Sequence, residues 1–317
     1  MKTWKCIEPI LNHDGSAIWL GLSVNHELCT LDTTNYKQEP CCTVDLSALT
    51  SVSKLSMVVS VNGNYVAIAE TYGQYGTVIH LPSGKEVLRL DRGDYETGNN
   101  NSRFSFAFAK VGELDAIIHA TQWNRLDVTE LHTGRCLTAR EDRSQNYFHA
   151  SLHISPNQVW MIDNGWIWHP IGIIQKWKID EWIHNNPFML DENISVLTGS
   201  EHFWDRPLCF IDDHRVAVWG KTVDDEQSDD DFLSAISILD MKSSEESFFF
   251  LVPHEGELFV EDDFLYVVSK EHGTSKWKWT TGEMVKIDPS FIPYRYHPSA
   301  KLFFHLGKDG EVSTTTF

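Results

Sequence analysis

The stretch "NRLDVTELHTGRCL", residues 124–137, alternates apolar and polar positions, turns at Thr133-Gly134 and then begins a second run. That is the pattern of a half-buried strand, a tight turn and a following strand. Fifty residues upstream, "YGTVIHLPSGKEVLRL" (75–90) repeats it, with Ser83-Gly84-Lys85 standing where Thr133-Gly134-Arg135 stands later. The strands before the two turns keep the same offset: "VAIAE" begins at 66 and "AIIHA" at 116.

Further runs of this kind begin at 17 ("AIWLG"), 159 ("VWMID"), 216 ("VAVWG"), 265 ("LYVVS") and 302 ("LFFHL"), making seven at intervals of 37 to 57 residues. Each follows a polar turn such as "NHDGS", "VNGN" or "SPNQ", whose Gly, Asn, Asp and Pro supply the backbone angles that tight turns need. The nearly continuous apolar runs suit strands covered on both faces. The repeating unit reads as strand, turn, buried strand, loop, strand, turn, strand. Seven such units predict an all-β fold, a seven-bladed β-propeller of four-stranded antiparallel blades forming a single domain over residues 1–317. The last unit ends at "EVSTTTF", so its blade is expected to hold three strands, edged by residues 1–4.

The chain resembles WD40-like propellers over nearly its whole length, in a degenerate form. "RLDV" (125–128), "KWKID" (176–180) and "ILDM" (238–241) stand near that family's Trp-Asp position, and the Gly-His pair is absent. The resemblance implies that the turns joining first to second and third to fourth strands lie on one face. The loops joining second to third strands, and blade to blade, lie on the other. Here the first set reads as short and the second as long, and long loops on a rigid scaffold are where binding resides. Little helix is expected. "KWKIDEWIHNNP" (176–187) opens as a strand and then sets Ile179, Trp182 and Ile183 at helical spacing before Pro187; "DLSALTSV" (45–52) is a weaker candidate.

A chain of 317 residues buries enough surface to be stable without disulfides or metal. Its six cysteines have no CxxC and no regular spacing, which argues against a zinc site or a disulfide framework. The start "MKTWKCIEPI" lacks an apolar signal segment, and no stretch reaches the ~18 apolar residues of a membrane span; a cytoplasmic location is expected. With 26 basic and 45 acidic residues the net charge is −19. That disfavours nucleic acid and anionic membranes and favours a protein partner with a basic surface.

No phosphate loop, nucleophile elbow, HExxH or dinucleotide fingerprint occurs, so no catalytic residue, cofactor or enzymatic role is assigned. His149 and His153 in "FHASLH" would share one side of a strand, as two metal ligands can. Two hydrogen-bonded core imidazoles are the ordinary alternative and the preferred one, so no metal is expected. Of the 12 tryptophans, Trp160, Trp177, Trp219, Trp277 and Trp279 fall in strands and read as core. Trp19, Trp160 and Trp219 stand in the doubly covered second strands.

Trp123, Trp166, Trp168 and Trp204 fall in the long-loop class. With Arg103, Arg143, Tyr147, His202, Asp205 and the acidic run 224–231, which starts with Asp224 and Asp225, they form the candidate partner-binding set. Aromatic anchors rimmed by charge are how interaction surfaces look, and an acidic loop steers a basic partner. The expected function is non-catalytic protein binding, of the inhibitor or immunity type toward a basic toxin. The alternatives are an enzyme or small-ligand binder using the central channel, and a scaffold subunit of a larger complex.

Overall fold

The computed structural model describes residues 3–11, 14–49, 52, 54–94, 102–141, 146–168, 171–192, 195–201, 203–222, 232–307 and 311–317. Seven antiparallel sheets follow one another along the chain, each with its strands in sequence order. The first holds β1 (Trp4–Pro9), β2 (Ile18–Ser23), β3 (Glu27–Asp32) and β4 (Lys37–Thr43). The second holds β5 (Leu55–Val59), β6 (Tyr65–Glu70), β7 (Tyr75–His80) and β8 (Lys85–Asp91), and the third β9 (Phe106–Val111), β10 (Leu114–Gln122) and β11 (Arg125–Glu130). Then come β12 (Phe148–Ile154), β13 (Trp160–Ile167), β14 (Ile171–Lys178) and β15 (Val196–Glu201). The fifth comprises β16 (Leu208–Phe210), β17 (Arg215–Thr222), β18 (Phe232–Asp240) and β19 (Glu246–Leu251). The sixth comprises β20 (Glu257–Glu261), β21 (Phe264–Ser269), β22 (Gly273–Lys278) and β23 (Glu283–Asp288), and the last β24 (Arg295–His297), β25 (Leu302–Leu306) and β26 (Val312–Thr315). This is a seven-bladed β-propeller.

The seven apolar runs are the second strands of the seven sheets. β6 is buried at all six positions, whereas the outer strands β4 and β23 are mostly exposed. Within each unit neighbouring sheets pack against these second strands, which accounts for runs without polar alternation. The chain divides into two compact units, residues 1–139 with 293–317, and Arg140–Ile292. In the first unit, Cys6, Leu20, Leu28, Met57, Val66 and Ile68 share one core cluster. In the second, Ala217, Trp219, Ile236, Leu265, Val267 and Trp277 share another.

Four expectations need correction. The third sheet has three strands, because Cys136 makes a single bridge to Thr129. Beyond it the Thr138 hydroxyl takes over the ladder, accepting from Val128 N at 3.0 Å and donating to Asp127 Oδ1 at 3.1 Å. A side chain that satisfies the backbone in this way competes with strand pairing. The last sheet is three-stranded as expected, but the N-terminal strand does not edge it: Trp4 pairs with Ser23, so β1 extends the first sheet. Side chains instead join first and last sheets, through Arg295 Nε to Glu8 Oε1 at 3.0 Å and His297 Nε2 to Ile18 O at 3.0 Å.

The expected asymmetry of loop lengths holds only in part: the connections between the first four sheets are long, but those from second to third strand are mostly short. β2–β3, β6–β7, β10–β11 and β21–β22 are joined by tight turns. Residues 179–195, a third-to-fourth connection, carry both helices, α1 (Ile179–His184) and α2 (Met189–Glu192). α1 buries Ile179, Trp182 and Ile183, the residues picked out by their spacing; 45–52 forms no helix among its described residues. Finally, Trp160 is half-buried rather than core. It is the first residue of β13, and the Lys176 and Lys178 ammoniums lie 5.6 and 5.5 Å from its ring centre.

Aspartates fix many of the turns. Asp14, Asp45, Asp240 and Asp288 each accept, at 2.9 Å, the backbone N–H two residues on. Hydrogen bonds from Ser16, Ser47, Ser243 and Ser290 hold these carboxyls below the ordinary aspartate range. A carboxyl depressed in the folded state adds stability above its unfolded value, about 3.9, and loses it as pH falls through the folded value. Thermal melts should therefore show the midpoint dropping as pH falls below about 4. Asp240→Asn, which preserves the turn but cannot titrate, should make that drop shallower.

Candidate interaction site

The site grows from an irregularity between β12 and β13. Their register slips between Phe148 and Ser151, so part of the ladder is lost and side chains replace it. The Asp163 carboxylate, fully buried, accepts from Ala150 N at 3.0 Å and pairs with His149 Nδ1 at 2.5 Å. The Tyr147 hydroxyl accepts from Gly165 N at 3.0 Å and donates to the Ile173 carbonyl at 2.9 Å. Burial, reinforced by the Asp163 charge, pushes the Tyr147 phenol well above its usual range. A β-carbon at Gly165 would lie 2.2 Å from Phe148 O and 2.5 Å from the Tyr147 hydroxyl, so glycine is what admits this network.

His149 is committed to Asp163, and the slip breaks the alternation that would have set His153 beside it. Among the described residues no three His, Cys, Asp or Glu side chains group as a metal site would require.

Directly after Tyr147 the chain turns aromatic. Phe148 and Trp166 are cross-strand partners, and their rings stack at 3.9 Å and 3°. Trp168 lies 5.9 Å from Trp166, and Trp204 lies 6.0 Å from it on a separate segment. That segment crosses β14 closely at Gly172, where a β-carbon would meet Phe203 O at 2.1 Å. Trp166 is 3% exposed, Trp204 half-buried and Trp168 56% exposed. Trp168 is the single exposed tryptophan among the described residues. Trp166 Nε1 is buried without a hydrogen-bond partner. Asp205 follows Trp204 in left-handed backbone, φ 59°, and accepts from Ser151 Oγ at 3.3 Å. Partial desolvation and the Asp205 charge together raise the Glu255 carboxyl above its usual range.

Of the candidate set, then, Trp166, Trp168, Trp204 and Asp205 come together in the second unit. Tyr147 and Trp166 are 2% and 3% exposed; they form the base of the cluster, and Trp166 belongs to a strand rather than a loop. Arg103, exposed, and Trp123, half-buried in a two-residue hairpin turn, belong to the first unit. Arg143, His202, Asp224, Asp225 and the rest of 224–231 lie outside the described residues. Phe148, at the centre of the stack, was not among the candidates; its place opposite Trp166 depends on the register slip.

Fold and site together define a β-propeller bearing an exposed aromatic cluster. No known protein family and no curated protein matches the sequence. Among solved structures the chain is similar to hydrazine synthase of Kuenenia stuttgartiensis, with a TM-score of 0.62 and 13% identity over 100% of this chain and 97% of that one. In all, 1254 solved chains match, so the likeness specifies an architecture and not an activity.

No α-helix among the described residues is long and apolar enough to cross a membrane.

Proposed function

We propose that this chain is a non-catalytic, WD40-like binding propeller that docks another protein through the cluster around Trp168 and Trp204. The observation that carries the reading is the cluster itself: an exposed tryptophan, a half-buried one and a buried aromatic base, with Asp205 next in the chain to Trp204. Partly exposed aromatic rings on a rigid floor make anchors of the kind that dominate interface energies. The net charge of −19 and the acid beside Trp204 favour a basic partner. The finer reading is a cytoplasmic inhibitor or immunity-type protein that neutralises a basic toxin, supported by that charge. Hydrazine synthase is by its name an enzyme, but at 13% identity its chemistry carries no weight here.

The test is co-expression with the product of the adjacent reading frame, followed by binding kinetics. Trp168→Ala should lose about 2 kcal/mol of binding, seen as dissociation ~30-fold faster. Acidic-rim substitutions should act mainly on association and its salt dependence. Parent-like dissociation in both Trp168→Ala and Trp204→Ala would remove the cluster from the interface.

A further inference from the structure

Among the described residues three arginine side chains are buried, and they are satisfied in different ways. Arg92 donates to the carbonyls of Gly73, Arg103 and Ser102 at 2.7, 2.9 and 3.1 Å. Arg140 is paired with the Asp191 carboxylate. Arg206, 3% exposed, has a single carbonyl, that of Gly220 at 3.0 Å from Nη1; its Nη2 is buried with no partner, and no carboxylate pairs with it among the described residues. Burial lowers its pKa to about 10, so it is still charged at neutral pH. A buried charge without compensation is expensive.

Arg206 lines a cleft of about 130 Å³ with Thr198, Lys221, Ser237 and Glu246. The one acid in this cleft is already committed. Glu246 accepts from Lys221 Nζ at 2.7 and 2.9 Å and from Ser237 Oγ at 2.6 Å. The lining therefore carries one uncompensated positive charge in a molecule of charge −19. The backbone beneath it is fixed, since Asn164 Nδ2 donates to the Arg206 carbonyl at 2.7 Å. A volume of 130 Å³ equals about four waters, enough for one carboxylate or phosphate group and too little for a nucleotide.

We propose that this cleft binds a small oxyanion, a carboxylate or phosphate group, with the Arg206 guanidinium as its main ligand. The planar fork of a guanidinium matches two oxygens of such a group, and a desolvated setting strengthens each charge-assisted bond. Thr198 lines the same cleft, and its hydroxyl is the further donor that the proposal assigns. Among the described residues no acidic side chain takes this place, because Glu246, the one acid in the lining, stays with Lys221.

The experiment is calorimetric titration of the full chain with inorganic phosphate and, separately, acetate, at ionic strength matched with chloride, with thermal melts in parallel. The parent should bind one of the two saturably and melt higher in its presence; the tighter of the two identifies the ligand's source. Arg206→Gln should weaken that binding at least tenfold. Should Arg206→Gln fail to fold, Thr198→Val and Lys221→Gln decide: the first removes a donor and the second leaves the Glu246 charge in the cleft without its ammonium, and each should weaken binding several-fold. Absence of saturable binding by the parent to either anion overturns the proposal. So does parent affinity retained in Arg206→Gln or, where that variant does not fold, in both of the others.

Discussion

Trp19→Ala should lower the thermal midpoint by about 6–10 °C, the consequence of losing about 3–5 kcal/mol. Trp19 lies in β2 and is fully buried. Its ring meets Phe304 at 4.8 Å and the edge of His297 at 5.0 Å, so it joins the first sheet to the last within the first unit. Its Nε1 donates to Thr33 Oγ1 at 3.3 Å, and that hydroxyl donates on to the Ala17 carbonyl at 3.1 Å. Alanine would leave a cavity between two sheets and strand part of this chain of bonds. His297 is held by the same packing: burial lowers its pKa, and the neutral ring donates from Nε2 to Ile18 O and accepts Ala300 N at Nδ1. Trp219→Ala, at a 4% exposed ring against Phe203, should cost a similar amount. Trp160→Ala, at the half-buried opening of β13, should cost under ~2 kcal/mol. Equal losses at Trp19 and Trp160 would contradict the burial that separates them.

The contrast between these tryptophans marks what a repeat can reveal. A strand pressed between two sheets must be apolar on both faces, so all seven second strands stand out of the sequence by composition alone. Strand ends are set by local hydrogen bonding instead, and Trp160 falls at such an end. The third blade makes the same point. "GRCL" reads as the start of a fourth strand, yet the Thr138 hydroxyl bonds Val128 N and Asp127 and stops the ladder after one bridge. The site was legible to a similar depth. Trp166, Trp168 and Trp204 could be selected as unusual tryptophans, but their meeting depends on the slip between Phe148 and Ser151 and on the close crossing at Gly172. Neither has a periodic signature. The buried Arg206 was invisible for a different reason: nothing in "FWDRP" distinguishes a guanidinium in a cleft from one in solvent.

A second large effect is expected at Asp191, in a helix that the sequence did not reveal. Asp191 lies in α2, and its carboxylate takes both Nε and Nη2 of Arg140, with side chains 5% and 1% exposed. Two parallel bonds in a dry setting orient the pair and anchor the 179–195 connection to the start of the second unit. Asp191→Ala should cost about 3–5 kcal/mol, because it leaves a buried guanidinium without its carboxylate. The pair itself is a different matter, since desolvating both charges offsets most of their attraction. The double variant Arg140→Met, Asp191→Leu should therefore recover most of the loss, and denaturant midpoints of the parent, both single variants and the double would give the coupling directly. Recovery identifies the stranded charge as the cause of the instability. A double variant as unstable as Asp191→Ala would instead mean that α2 depends on the geometry of the two hydrogen bonds, which methionine and leucine cannot reproduce.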